Sequence, residues 1–117
     1  MGIDRFEQLD AWKQAHALVL EIYRLTGRLP TEERFGLIPQ MRRSAVSVPA
    51  NVAEGFKRRG KADKVRFYNI AQGSLEELRY YLILCRDLEY LQPDPNIFRQ
   101  CGRVAKLLTG LSKVNHG

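Results

Sequence analysis

FYNIAQGSLEELRYYLILCRDLEYLQPDPNIFRQCGRVAKLLTGL, residues 67–111, decides the fold. In its first half Phe67, Ala71, Ser74, Leu78, Tyr81, Cys85 and Leu88 alternate spacings of four and three. In its second half Ile97, Cys101, Val104, Leu108 and Leu111 repeat the pattern after Gln92-Pro93-Asp94-Pro95. That alternation keeps side chains on one face of a helix, whereas a strand needs a period of two. Both halves are therefore predicted as helices buried along a seam. Asp94 supplies an N-cap oxygen, and Pro95 takes the first helical position, where a missing amide costs nothing.

Working back from there, Pro and Gly leave two more segments of helical period. The stripe Trp12, Ala15, Val19, Ile22, Leu29 predicts a first helix that stops at Gly27 and Pro30, with Thr31 capping a turn that carries Glu32 and Glu33. A second helix begins near Ile38 with Pro39 at its first position and buries Met41, Ala45, Val48 and Val52. Half a turn round lies a polar line, Arg43, Ser47, Asn51, Glu54, Arg58. Pro49 falls inside this helix, and a kink rather than a stop is expected because the stripe continues in phase to Val52. In the third helix, Gly73 is expected to mark a close approach of helices, since an interior glycine costs about 1 kcal/mol against alanine; Gly110 is read as simple tolerance. The expected helices cover about 6–29, 38–58, 62–91 and 95–114. Short connections between helices of about 30 Å predict an all-α, antiparallel up-down-up-down four-helix bundle.

The chain has 117 residues, which fits one domain spanning 1–117, and 44% hydrophobic content supplies a core. Cys85 and Cys101 lie on apolar seams without close CxxC spacing and are expected to be reduced, inert thiols. Met1 to Phe6 lacks a signal-peptide core, and no stretch approaches a membrane span, so a soluble cytoplasmic protein is expected.

Catalytic constellations are missing from the pattern. His16, four residues after Trp12, is expected to be a hydrogen-bonded structural histidine, and His116 stands by itself near the C-terminus. Glu76 and Glu77 are adjacent, and neighbours on a helix diverge by about 100°, so they form no acid–base pair. No enzyme activity, metal or cofactor is expected.

Charge is the feature that points outward. The formal net charge is +6 and the isoelectric point about 9.6. Between residues 57 and 66 six cations face one acid, Asp63. Such a concentration makes a polyanion the first partner to consider. The candidate nucleic-acid-binding residues are Arg42, Arg43, Lys57, Arg58, Arg59, Lys61, Lys64 and Arg66, acting on phosphates without sequence readout, since nothing marks an element that presents side chains to base edges. The alternatives are a solvated face at a helix junction, or a protein-interaction scaffold whose arginines pair with acidic groups of a partner or a neighbouring subunit.

Trp12 and Ala15, Tyr23 and Thr26, Phe35-Gly36-Leu37, Gln40, Arg42 to Ala45, Ser47-Val48-Pro49, Asn51 to Gly55, Phe67, Ala71 to Ser74 and Glu77 together form a family pattern. From about Phe6 to Tyr90 the chain resembles the bacterial four-helix-bundle proteins named for reading frames in intervening sequences of 23S ribosomal RNA genes. Helix four matches only in length and pattern. The resemblance implies an antiparallel bundle assembling into a ring-like homopentamer with a basic surface. The family includes accessory variability determinants of diversity-generating retroelements, which bind nucleic acid and a reverse transcriptase. Self-association, nucleic acid and such a protein partner are thus the implied contacts, and no catalytic residue transfers. Pro39 departs from the family's usual small or polar residue, which implies a local difference where helix two begins. Aromatic residues near helix ends, Tyr68, Tyr80 and Tyr90, are expected to exceed what one small bundle buries.

Overall fold

The computed structural model describes residues 2–113. It contains the helices α1 Asp10–Thr26, α2 Leu37–Lys57, α3 Lys61–Asp87 and α4 Pro95–Lys113, with single 3-10 turns at Phe6–Gln8 and Thr31–Glu33. Among the described residues there is no strand. His116 lies outside the described residues.

Helix boundaries follow from local hydrogen bonding that apolar periodicity does not carry. The first helix, expected from residue 6, starts at Asp10, because the side-chain carbonyl of Gln8 accepts from the amides of Asp4 and Arg5, both at 2.9 Å, and closes a separate turn. Leu9 is extended between the two. The turn at Thr31 is present, yet Thr31 makes no capping bond. Glu33 does that work for the next helix: its carboxylate accepts from the Leu37 amide at 3.0 Å and from the Tyr90 hydroxyl at 2.8 Å. These donors hold the Glu33 carboxyl below its ordinary range. Because α2 starts at Leu37, Pro39 is its third residue, still among the amides a helix start leaves unpaired. The helix runs on through a buried Pro49, so there is no stop there.

The third helix, expected to reach residue 91, ends at Asp87. Glu89 sits in the left-handed region with φ 61. The Glu89 amide donates to the Arg86 carbonyl at 3.0 Å and the Tyr90 amide to the Cys85 carbonyl at 3.0 Å, which together terminate the helix as a Schellman motif. Glycine usually occupies that position, and its absence hides the stop in the sequence. Asp94 caps as expected, its side chain accepting from the Asn96 amide at 2.9 Å.

The four helices surround one apolar core: α1 packs on α2 and α4, and α3 packs on the same two. The stripes expected for α2 and α4 are buried at every position, whereas Trp12 in the α1 stripe is only partly buried. In α3 the buried ladder is Lys64, Tyr68, Ala71, Leu75, Leu78, Leu82, Cys85. Ala71, Leu78 and Cys85 are shared with the expected seam, but Phe67, Ser74 and Tyr81 are half-buried and Leu88 is exposed. Tyr68 is therefore a core residue, not a surplus surface aromatic; Tyr90 is partly buried and Tyr80 is exposed.

Contacts spaced along the pair join α2 to α3, among them Gly55 against the Tyr68 ring, Ser47 Oγ to Ser74 Oγ at 2.7 Å, and the Cys85 thiol to Met41 Sδ at 3.6 Å. The close approach expected at Gly73 falls at Gly55 instead; Gly73 and Gly110 face open space. A Cβ on Gly55 would lie 2.7 Å from Tyr68 Cε1 and 3.1 Å from Phe67 Cβ. Since Tyr68 is held in the core, Gly55→Ala should destabilise by about 1–3 kcal/mol despite alanine's better helix propensity. Urea unfolding is the check, and a stabilised variant would contradict this packing.

Candidate nucleic-acid interface

The link between α2 and α3 is Arg58, Arg59 and Gly60, so the charge run 57–66 wraps a tight corner. Its cations do different things. Lys64 is 4% exposed, and its amine donates to the carbonyls of Phe56 at 2.6 Å and Gly55 at 3.4 Å. It also lies over the Phe56 ring. Lys64 thus neutralises the carbonyl end of α2, where a cation is favoured, and its burial lowers its affinity for a proton. Its amine is engaged inside the corner and not presented to a phosphate, which corrects its place among the candidates.

Arg58 bonds the Glu54 carboxylate at 2.6 Å, and its guanidinium lies 4.7 Å from the Phe67 ring centre. Arg66 lies over the same ring at 4.5 Å, and Asp63 bonds Arg66 at 3.3 Å with Arg58 at 3.9 Å. Two guanidiniums, one ring and the carboxylates of Glu54 and Asp63 therefore brace the corner. Lys57, Arg59 and Lys61 are exposed and form no ion pair among the described residues. Lys61 opens α3, where unpaired amides add positive potential.

Arg42 and Arg43 are not part of this corner. Arg58 follows Arg43 by fifteen positions, about 22 Å along a helix axis. Arg42 turns toward the end of α1: its Nε donates to Thr26 Oγ1 at 2.9 Å and Nη2 to the Tyr23 carbonyl at 3.3 Å, with the guanidinium 4.4 Å from the Tyr23 ring centre. Arg43 is exposed. The polar line that starts there is partly used within the fold, because Ser47 meets Ser74 and Asn51 donates back to the Ser47 carbonyl at 2.7 Å.

Arg34 is absent from the candidates read from the sequence, and Phe35 enters there only as part of the family pattern. Phe35 is 85% exposed and carries the Arg34 guanidinium 5.0 Å from its ring centre. Neither residue belongs to a charge run or an apolar stripe, and Arg34 meets Tyr23, Arg42 and Arg43 only in space, round one groove.

The other candidates read from the sequence make local contacts within the fold. His16, expected to be hydrogen-bonded, is exposed and stacks on Trp12 with ring centres 4.9 Å apart and planes within 10°. Glu76 pairs with Arg79 and Glu77 accepts from Tyr81, in keeping with their divergence. Cys85 and Cys101 are buried free thiols, each pushed up to about 11 by burial. Among the described residues no group of three or more His, Cys, Asp or Glu could hold a metal, and no helix is long and apolar enough to cross a membrane.

Four helices about one core, with exposed cations gathered at a corner, define a basic all-α protein. Residues 7–110 match the model of the 23S rRNA-intervening sequence protein family, and the chain belongs to that family. The match reaches well into α4, beyond Tyr90, where the pattern read from individual residues ended. A similar solved structure is a protein with unknown function from the S23 ribosomal protein family of Bacteroides thetaiotaomicron. It is 26% identical, with a TM-score of 0.80, over 89% of this chain and 96% of that one. No curated protein matches the chain.

Proposed function

We propose that this protein is a non-enzymatic, antiparallel up-down-up-down four-helix bundle that assembles as a homopentameric ring and binds RNA or DNA through phosphate contacts. The observation that carries the reading is the α2–α3 corner, where Lys57, Arg59 and Lys61 are exposed without an ion-pair partner among the described residues and Arg66 stays exposed beside its carboxylate. Contacts that pair falling numbers on α2 with rising numbers on α3 support the antiparallel arrangement. Exposed Leu20 on α1, and Ile70 and Tyr80 on α3, support assembly, since a ring closes through two different faces. Repetition of a weak cationic corner round a ring makes its binding avid.

The test is a salt titration of labelled duplex DNA and RNA against wild type and Arg59→Ala/Lys61→Ala. Affinity should fall steeply with salt, and the double variant should flatten the slope of log K against log salt by about 0.9 for each duplex phosphate it no longer neutralises. Both residues are exposed and lie outside the braced corner, so the fold should survive, with circular dichroism as the control. Equal slopes would remove the corner from the site. Failure of the wild type to bind at low salt would favour the protein-scaffold reading, and a mass of 13.5 kDa by light scattering would exclude the ring.

A further inference from the structure

We propose a second, chemically distinct site on the same molecule: the groove between the end of α1 and the start of α2 holds an unpaired base of a single-stranded nucleic acid. This rests on the nucleic-acid reading above and adds which form of the polymer this groove takes.

The groove has a volume of about 460 Å³ and is lined by Tyr23, Arg34, Ile38, Pro39, Arg42, Arg43 and Val46. That volume suits a nucleotide-sized group. Its lining contains three arginines and no carboxylate. The contrast with the groove between α1 and α4 is direct: there Arg24, Arg28 and Arg103 share about 350 Å³ with Glu21 and Asp94, which offset their charge.

Tyr23 lines the groove with the Arg42 guanidinium over its ring, and Phe35, outside the lining, adjoins the groove through Arg34, whose guanidinium lies 5.0 Å from the Phe35 ring centre. Phe35 is 85% exposed and Tyr23 44% exposed. A phenyl ring left in water beside cations offers an apolar face to a flat, apolar-faced ligand whose linkage is anionic. An unpaired nucleobase on a phosphodiester chain has that combination, whereas duplex bases keep their faces buried in the stack. Arg42 is already fixed, by Thr26 and the Tyr23 carbonyl, and so holds the Tyr23 ring in place. Arg34 and Arg43 make no ion pair among the described residues and are available to phosphates. Ile38, Pro39 and Val46 supply the apolar floor. The α2–α3 corner differs in exposure: cations lie over rings in both places, but Phe56 and Phe67 are partly buried whereas Phe35 is exposed. Two regions of α2 about 22 Å apart thus divide the labour, one for phosphates of any form and one for an unpaired base.

Fluorescence anisotropy with a labelled oligothymidylate of about 12 nucleotides and a labelled mixed-sequence duplex separates the two. Phe35→Ala should weaken oligothymidylate binding by about five- to 150-fold, the loss of one stacked base, and leave duplex binding unchanged. Phe35→Trp should restore the single-strand affinity. Arg59→Ala/Lys61→Ala should weaken both probes. Unchanged oligothymidylate binding by Phe35→Ala overturns the proposal, as does an equal loss on both probes. A smaller assembly in light scattering for Phe35→Ala also overturns it, because Phe35 would then cover a neighbouring subunit. If wild type binds neither probe, the nucleic-acid reading falls together with this one. If it binds only duplex, through Arg59 and Lys61, that reading stands and the groove assignment falls.

Discussion

Leu82→Ala and Leu108→Ala should each lower the unfolding free energy by about 2–5 kcal/mol, whereas Leu88→Ala should change it by no more than about 0.5 kcal/mol. Leu82 and Leu108 are fully buried, and truncation removes apolar contacts while leaving a cavity that close-packed neighbours fill only in part. Leu88 is 47% exposed just beyond α3 and has little to lose. Against a total stability of about 5–15 kcal/mol, either core substitution is a large fraction. Thermal and urea unfolding followed by circular dichroism give the comparison. Should Leu82→Ala prove as mild as Leu88→Ala, the phase of α3 would have to be reassigned.

Stability should fall as pH rises from 9 to 11. Burial pushes Cys85 and Cys101 from an ordinary 9.0 up to about 11. In that interval the unfolded thiols lose their protons while the folded ones keep them, so the unfolded state is favoured progressively. The stabilisation is intact below pH 9 and is lost through 11. At 1.36 kcal/mol per unit, the loss approaches about 3 kcal/mol for each thiol. Tyr68, raised by burial, loses stability in the same direction at higher pH. Lys64 acts oppositely: burial lowers its folded value, so the unfolded amine holds its proton longer and stability is regained toward 10.5. Comparing wild type with Cys85→Ala/Cys101→Ala cancels both of those contributions. The double variant starts less stable, because its core packs less fully, but should show a distinctly shallower alkaline decline. Parallel profiles would show that the thiols ionise as freely in the folded protein as in the unfolded one.

The sequence pattern carried the helices well and their edges poorly. In α2 and α4 one ladder of apolar residues is available, and it is the buried one. In α3 two ladders pass through Ala71, Leu78 and Cys85, one by way of Ser74 and Tyr81 and the other by way of Leu75 and Leu82. Periodicity scores them equally; the difference comes from packing against α2 and α4, which buries the Leu75–Leu82 ladder and leaves Ser74 and Tyr81 half-buried. The stop at Glu89 is hidden because a non-glycine residue takes the left-handed position.

For the site, the charge run located the corner but could not sort its members. Lys64 and Arg42 look like their neighbours in sequence, yet each is drawn to the carbonyl end of the preceding helix. Arg34 gave no signal by itself, and Phe35 gave one only as part of the family pattern. Arg34 meets Tyr23 and Arg42 only across the α1–α2 turn, a juxtaposition that no local pattern contains.

The contacts between α2 and α3 have a kinetic consequence. They lie at increasing distance from the link at 58–60: Gly55 with Tyr68 closes a short loop, Ser47 with Ser74 spans 27 residues and Met41 with Cys85 spans 44. Once the contact nearest the link has formed, each following one adds only a short additional stretch to order, so the pair can close progressively from the corner outward. Chain-local contacts of this kind place a helical protein in the microsecond-to-millisecond class of folding rates. In a nascent chain the pair has all its residues once Asp87 has emerged, so α2 and α3 can associate before α4 has emerged to cover them.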